Sequence, residues 1–500
     1  MSTPPPTWWW TRFAFLRVLG LIYCVGFLME VHQGPALIGS EGLLPAHLYL
    51  DRVAEMQGGR WEGFLRLPSI FWLSVSDSSL MLGAWVGLSL SIAVALGLSN
   101  AIVLGGLWAL YMSFVHIGQT WTGYGWEILL LETGFLAIFL APLTRFRDLR
   151  PDAPPSPVVL LLLRWLAFRL MLGAGLIKLR GDPCWTDLTC LVHHYETQPN
   201  PHPLSWWLHQ QPEWFHKVGV LFNHAVELVV PWFIFGPRRW RHAAGVLLVA
   251  FQVSLILSGN LSFLNWLTLC VCVACFDDSF LGRLVPSRWR GRAPSGPPAL
   301  GAARQRVALV LAVVVTLLSV GPVANMLSRD QAMNFSFDRL HLVNTYGAFG
   351  SVGRTRDEVV IQGTLDPTPG PDSIWEDYEL PCKPGRVDRA PCLITPYHLR
   401  LDWQIWFAAM QRIDTNPWLI HLVAKLLHGD PGIRKLVAHD PFAGDAPTAV
   451  RLSLYRYRFT EGGPDWWERE YRRPYLRPLS ADDPDLLSFM ARQGWPTPAH

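Results

Sequence analysis

The chain has 500 residues, half of them apolar and 16% charged, with a positive mean hydropathy. That balance argues against a purely soluble protein and for one that sets much of its surface against lipid. The formal net charge is only +3, and the basic residues stand in separate clusters between apolar runs, so no continuous stripe follows a phosphate backbone and nucleic acid is a poor partner.

Trp8, Trp9 and Trp10 precede the first apolar run, where amphipathic rings suit the headgroup layer. Runs able to cross a hydrocarbon core of about 30 Å fall at 13–29, 80–98, 126–142, 157–177, 217–236 and 306–326. Shorter candidates lie at 101–116, 243–258 and 262–276. The count is about nine spans, with five as the alternative. The first run carries Arg17 and no small-residue cleavage signature follows it, so it reads as a retained anchor.

Arginines set the orientation, because short cytoplasmic loops are enriched in them. Arg145, Arg147 and Arg150 share one loop, Arg238, Arg239 and Arg241 a second, and Arg283, Arg288, Arg290, Arg292, Arg304 and Arg306 mark a third. With a cytoplasmic N-terminus and nine crossings, all three loops are cytoplasmic. The segments 30–79 and 178–216 and the tail from 327 then lie on the opposite face. Cys184 with Cys190, and Cys382 with Cys392, are close pairs in Pro-containing loops on that side, where an oxidising compartment permits disulfides. Cys24, Cys270, Cys272 and Cys275 lie within apolar runs and read as small buried hydrophobes.

The stretch 283–304 reads as a flexible linker. Beyond 327 the pattern changes: 358–361 and 452–459 alternate as strands, while 401–411 and 418–427 have helical spacing. The expected fold is a polytopic α-helical membrane bundle, residues 1–326, carrying a small mixed α/β, strand-containing extramembrane domain, residues 327–500.

Ionisable groups inside apolar runs usually face a bundle interior. Here they are Arg17, Glu127, Glu132, Arg164, Arg169, Lys178 and Glu227. Glu132, Arg164, Arg169 and Glu227, with His194, are candidates for a buried polar cluster, either a pocket or a set of interhelical ion pairs. His193, His194, His202, His209, His216 and His224 follow the fifth firm run's predecessor in a Trp- and Pro-rich segment, but match no compact ligand set, so no metal site is assigned. No nucleophile elbow, P-loop or dinucleotide fingerprint occurs, so no catalytic residue and no cofactor is assigned. Two sequons, at Asn260 and Asn334, fall on the non-cytoplasmic side; the first hugs a membrane boundary and is expected to be inaccessible.

Residues 170–182 (LMLGAGLIKLRGD), 184–190 (CWTDLTC) and 194–199 (HYETQP) resemble the lipase maturation factor family. So do 258–266 (SGNLSFLNW), 275–278 (CFDD), 343–350 (VNTYGAFG), 375–378 (WEDY) and 391–407, in order along the chain from about residue 13. The resemblance implies a non-enzymatic folding factor in the endoplasmic-reticulum membrane, or the cytoplasmic membrane of a bacterium. Its client would be a secreted protein, a homodimeric, disulfide-bonded lipase, met by the lumenal C-terminal domain. Tyr346, Phe349, Trp375 and Tyr378 are the candidate client contacts, each equally readable as core packing. The rival function is a membrane enzyme that modifies a lipid or a protein side chain in a polar cavity of the bundle.

Overall fold

The computed structural model describes residues 6–146, 149, 153–294 and 300–495. Arg147 and Arg150 of the first arginine loop, and 295–299 of the expected linker, lie outside the described residues. Among the described residues six helices are long and apolar enough to cross a membrane: Trp9–Ile38, Asp77–Leu96, Pro157–Arg180, Glu213–Phe235, Arg238–Ser258 and Ala302–Leu327. The chain is therefore a mostly helical, multi-pass membrane protein. Ala101–Ile117 and Leu264–Cys275 are shorter apolar helices beside them.

Several runs differ in length from expectation; that at 13–29 extends to a helix of 30 residues, Trp9–Ile38. The run at 126–142 forms a helix of only 16 residues, Gly125–Leu140, which ends where Pro142 follows. The run at 243–258 extends back through Arg238 to 21 residues, because its polar first turn continues the helix. Local chemistry sets several starts. Asn100 Oδ1 accepts from Val103 N at 2.9 Å, Ser76 Oγ accepts from Ser79 N, and Pro157 occupies the first turn of its helix. The Glu213–Phe235 span is α-helical to His224, π-helical over Ala225–Val229 and 3-10 over Val230–Phe235, with Pro231 removing one donor.

Small residues let the helices meet. A Cβ on Gly20 would stand 2.6 Å from Ala95 N, and one on Gly87 would stand 2.2 Å from the Phe27 ring, so Trp9–Ile38 and Asp77–Leu96 pack with backbone-close contact.

The C-terminal region carries a four-stranded antiparallel sheet, β1 Arg356–Thr364, β2 Glu376–Tyr378, β3 Ala449–Phe459 and β4 Trp467–Leu479, in the order β2-β1-β3-β4. Ile361 faces Leu452 and Arg356 faces Tyr457 across the central pair. Val359, Ile361, Leu452 and Leu454 bury one face with helices Arg400–Ala409 and Pro417–Leu427. The expected strands at 358–361 and 452–459 and the two expected helices are present; β2 and β4 were not expected.

Candidate functional site

Three polar clusters fasten helices to one another and to the C-terminal region. In the first, Arg169 pairs with Glu132, and its Nη1 donates to Asn344 O at 2.6 Å. Glu132 Oε2 accepts from Asn344 N at 2.9 Å, Asn344 Nδ2 at 3.2 Å and Tyr346 OH at 2.7 Å. Segment 343–346 thus enters the bundle and satisfies a carboxylate that would otherwise be costly there.

In the second, Arg400 reaches from the C-terminal region to Glu30 at 2.7 Å and Glu127 at 3.0 Å, and donates to Trp121 O. Glu127 also accepts from Tyr111 OH. The planar guanidinium divides its donors between two carboxylates and a carbonyl, a geometry unavailable to lysine. Beside it, Gln33 donates to His398 O at 2.8 Å and accepts from Arg400 N at 3.0 Å.

In the third, Lys178 Nζ lies 2.6 Å and 2.7 Å from the two oxygens of Glu227 and 3.0 Å from Asn223 Oδ1. Glu227 sits on the π-helical turn. Burial of these ions costs free energy, which pairing offsets, so their arrangement fixes geometry more than it adds stability.

Of the buried-cluster candidates, Glu132 and Arg169 meet, Glu227 belongs to the separate Lys178 pair, and Arg164 lies elsewhere. Arg164 Nε donates to Ala274 O at 2.8 Å, toward the end of the bundle where Arg241 and Arg238 hold Asp277 at 2.8 Å and 2.9 Å. Burial opposes ionisation of Asp277, but the Ser279 hydroxyl, His242 and the two arginines hold its carboxyl below the usual range. His194 is buried with its ring 4.8 Å from that of Phe349, edge to face. Burial, then the charge of Lys178, pushes His194 down to about 4. Its companions disperse: His202 caps helix Pro203–His209, His224 bonds Trp185 O, and His209 meets Phe459. Among the described residues no group of three His, Cys, Asp or Glu side chains could hold a metal ion.

Tyr346 and Tyr378 are buried, 2% and 6% exposed, whereas Phe349 and Trp375 are half-buried. Trp375 lies under Arg451, 4.2 Å from the ring centre. Disulfides join Cys184 to Cys190 and Cys382 to Cys392. Around them the same end of the bundle binds the C-terminal region: Trp185 Nε1 donates to Phe349 O, Arg354 pairs with Asp182, and Arg356 donates to Glu196 O and Pro199 O. Asn260, 2% exposed, donates to Asn200, Pro201 and Cys392 carbonyls and accepts from Ile394 and Thr395 N. Asn334 is exposed.

Between bundle and C-terminal region lies a cavity of about 880 Å³. Helices Pro157–Arg180, Arg238–Ser258 and Leu264–Cys272 wall it with Leu170, Met171, Phe251, Leu255 and Leu264, and Trp406 and Phe407 line it from the C-terminal side. Gln252, Asn265 and His194 are polar members of the wall.

Sequence reasoning missed Arg400, Glu30 and Asn344, and the Gln252–Asn265 pair. Glu30 falls one residue past the first run as drawn, and extending that run to the helix end at Ile38 exposes it as a buried acid in need of a cation. Arg400 and Asn344 lie in the stretches 391–407 and 343–350 that carry the family resemblance, but no local spacing marks them as partners of buried acids.

A family model described as the lipase maturation factor transmembrane domain matches residues 10–283, and one described as the lipase maturation factor C-terminal domain matches 342–477. Lipase maturation factor 1 of Mus musculus is 49% identical over 98% of this chain and 90% of its own length. The protein of that name from Homo sapiens is 47% identical over 98% of this chain and 91% of its own. Lipase maturation factor 2 of Homo sapiens is 31% identical over 97% of this chain and 84% of its own. No solved structure matches. Two matched regions in the expected order, and identity along nearly the whole length, establish that the chain belongs to the lipase maturation factor family.

Proposed function

We propose that this chain is a membrane-embedded maturation factor that assists the folding and assembly of secreted lipases without catalysing a covalent step. The observation that carries the reading is the similarity to lipase maturation factor 1 over 98% of the chain. In this reading residues 1–326 form the membrane bundle of the endoplasmic reticulum, or of the cytoplasmic membrane in a bacterium, and 327–500 form a domain on the non-cytoplasmic face. The two disulfides at the end that meets the C-terminal region support that side.

A partly folded client exposes apolar patches and unpaired strand edges. The exposed Met333, Phe335 and Phe337 precede the segment that Asn344 fastens to Glu132, and with Phe349 and Trp375 they offer apolar surface to such a client. Tyr346 and Tyr378 contribute by holding that surface in place from below. The experiment is photo-crosslinking in cells secreting a lipase, with the reactive residue at position 335, 337 or 375 of the full chain. Capture of the lipase at one of these positions and not at the lipid-facing Val313 is expected; capture at none, with the chain expressed and inserted, counts against the reading.

The cavity favours a second reading, a membrane enzyme acting on a lipid or protein side chain. Loss of lipase maturation in His194→Asn, a substitution on the cavity wall, with client capture and thermal stability intact, would support it.

A further inference from the structure

We propose that the cavity between the bundle and the C-terminal region is the binding site of an uncharged lipid: an acyl chain whose hydroxyl or ester carbonyl meets the Gln252–Asn265 pair. Its volume of about 880 Å³ falls within the range of roughly 300–1,000 Å³ of small-molecule sites. Interiors are otherwise close-packed, and the part of this space walled by Leu170, Met171, Phe251, Leu255 and Leu264 is a poor host for water. Two of its walls are helices of membrane-crossing length, so the molecule best supplied to it is a lipid.

The polar end of the ligand is specified by two amides. Gln252 and Asn265 are 3% and 4% exposed. Asn265 Nδ2 donates to Gln252 Oε1 at 2.8 Å, but Gln252 Nε2 has only the Met171 thioether, a weak acceptor 3.6 Å away. Among the described residues no protein group donates to Asn265 Oδ1. The pair therefore keeps the Gln252 amide NH2 and the Asn265 carbonyl oxygen without a strong protein partner, and turning both amides over again leaves one NH2 and one carbonyl so placed. A hydroxyl uses both, and an ester carbonyl uses the donor.

The charge of the ligand follows from its surroundings. Among the charged side chains on the wall, Glu227 is paired with Lys178, Arg356 with Glu358 and Asp357 with Arg456, and Arg52 is exposed and bonded to Gln493 O. At the Gln252–Asn265 pair an ionised headgroup would lose its hydration, and among the described wall residues the one charge without an opposite charge beside it is Arg52, which is exposed and already donates to a carbonyl. Neutral lipids are admitted, and anionic or zwitterionic ones are disfavoured. The inference rests on the cavity alone and not on the client proposed above, so its failure leaves that proposal standing.

The test uses the full chain in detergent micelles with a diazirine-bearing monoacylglycerol, in parallel with a diazirine-bearing phosphatidylcholine, and maps labelled peptides by mass spectrometry. The neutral probe is expected to label peptides containing Met171, Leu255 or Thr268, and excess unlabelled monoacylglycerol to compete it away. Gln252→Leu, which keeps the apolar shape, should weaken labelling about tenfold, as loss of one buried hydrogen bond does. Thr268→Phe, which fills the space, should abolish it, and Val313→Phe on the exposed face should leave it unchanged. Thermal unfolding of each variant separates lost binding from lost folding. Labelling that does not saturate, that stays on outward faces, that is equal for both probes in the cavity, or that survives Gln252→Leu at unchanged stability would overturn the proposal.

Discussion

Arg400 Nη2 lies 2.7 Å from Glu30 Oε1, although 370 positions separate the two residues. The same guanidinium reaches Glu127 at 3.0 Å, so one side chain of the C-terminal region bridges carboxylates on two bundle helices. Replacing Arg400 by Met leaves both acids buried without a cation. The expected cost is about 3–5 kcal/mol, read as earlier thermal unfolding of the purified chain; Arg400→Lys should recover part of it, since a point charge serves one carboxylate well and not two.

Tyr346 donates to Glu132 at 2.7 Å from beneath the segment proposed to carry client contacts. Tyr346→Phe should destabilise by about 1.5–3 kcal/mol, the range for a hydrogen bond to a charged group. Asn344→Asp should be worse, because it sets a second carboxylate against Glu132. Limited proteolysis near residue 340 would report both effects.

Lys178 and Glu227 form a buried pair, with Asn223 bonded to both. Lys178→Met alone leaves Glu227 unpaired and should cost more than the double replacement Lys178→Met with Glu227→Gln. A double-mutant cycle on thermal stability should therefore give a coupling within about 0.5–3 kcal/mol.

His194 and His341 are each pushed by burial from an ordinary 6.5 down to about 4. A base whose folded pKa is depressed binds fewer protons when folded than when unfolded. Its full contribution to stability is present above pH 6.5 and is lost as pH falls toward 4. His194→Asn should flatten that part of the stability curve, measured by denaturation across this interval.

Asn334 is exposed, while Asn260 is buried and fully engaged with backbone groups. In a eukaryotic host, Asn334→Gln should remove a glycosidase-sensitive mobility shift. Asn260→Gln should leave that shift in place, but should loosen the 392–395 segment. A missing shift in the unaltered chain would speak against the lumenal placement.

Much of this architecture is written locally. The runs at 157–177 and 306–326 lie within observed helices because hydrocarbon demands uninterrupted apolar stretches, and 418–427 matches a helix started by Pro417. The edge strand Trp467–Leu479 escaped notice because residues 468–474 are all exposed, so no alternation of apolar and polar marks it. Helices Ala46–Gln57 and Arg60–Arg66 are short, half-exposed and flanked by loops, and they too gave little signal. The junction was legible on the bundle side alone. Glu132 and Arg169 stand out as charges in apolar runs, but Asn344 and Arg400 acquire their roles only when segments more than 170 positions away fold against them.

The most direct measurement of the central claim is the specific activity of a secreted lipase, per mass of lipase, in cells lacking their own maturation factor. The account predicts that activity per mass rises when the intact chain is supplied and falls back with Arg400→Met, which removes one fastening of the C-terminal region to the bundle. Activity per mass that stays flat although the intact chain is expressed and inserted would contradict it.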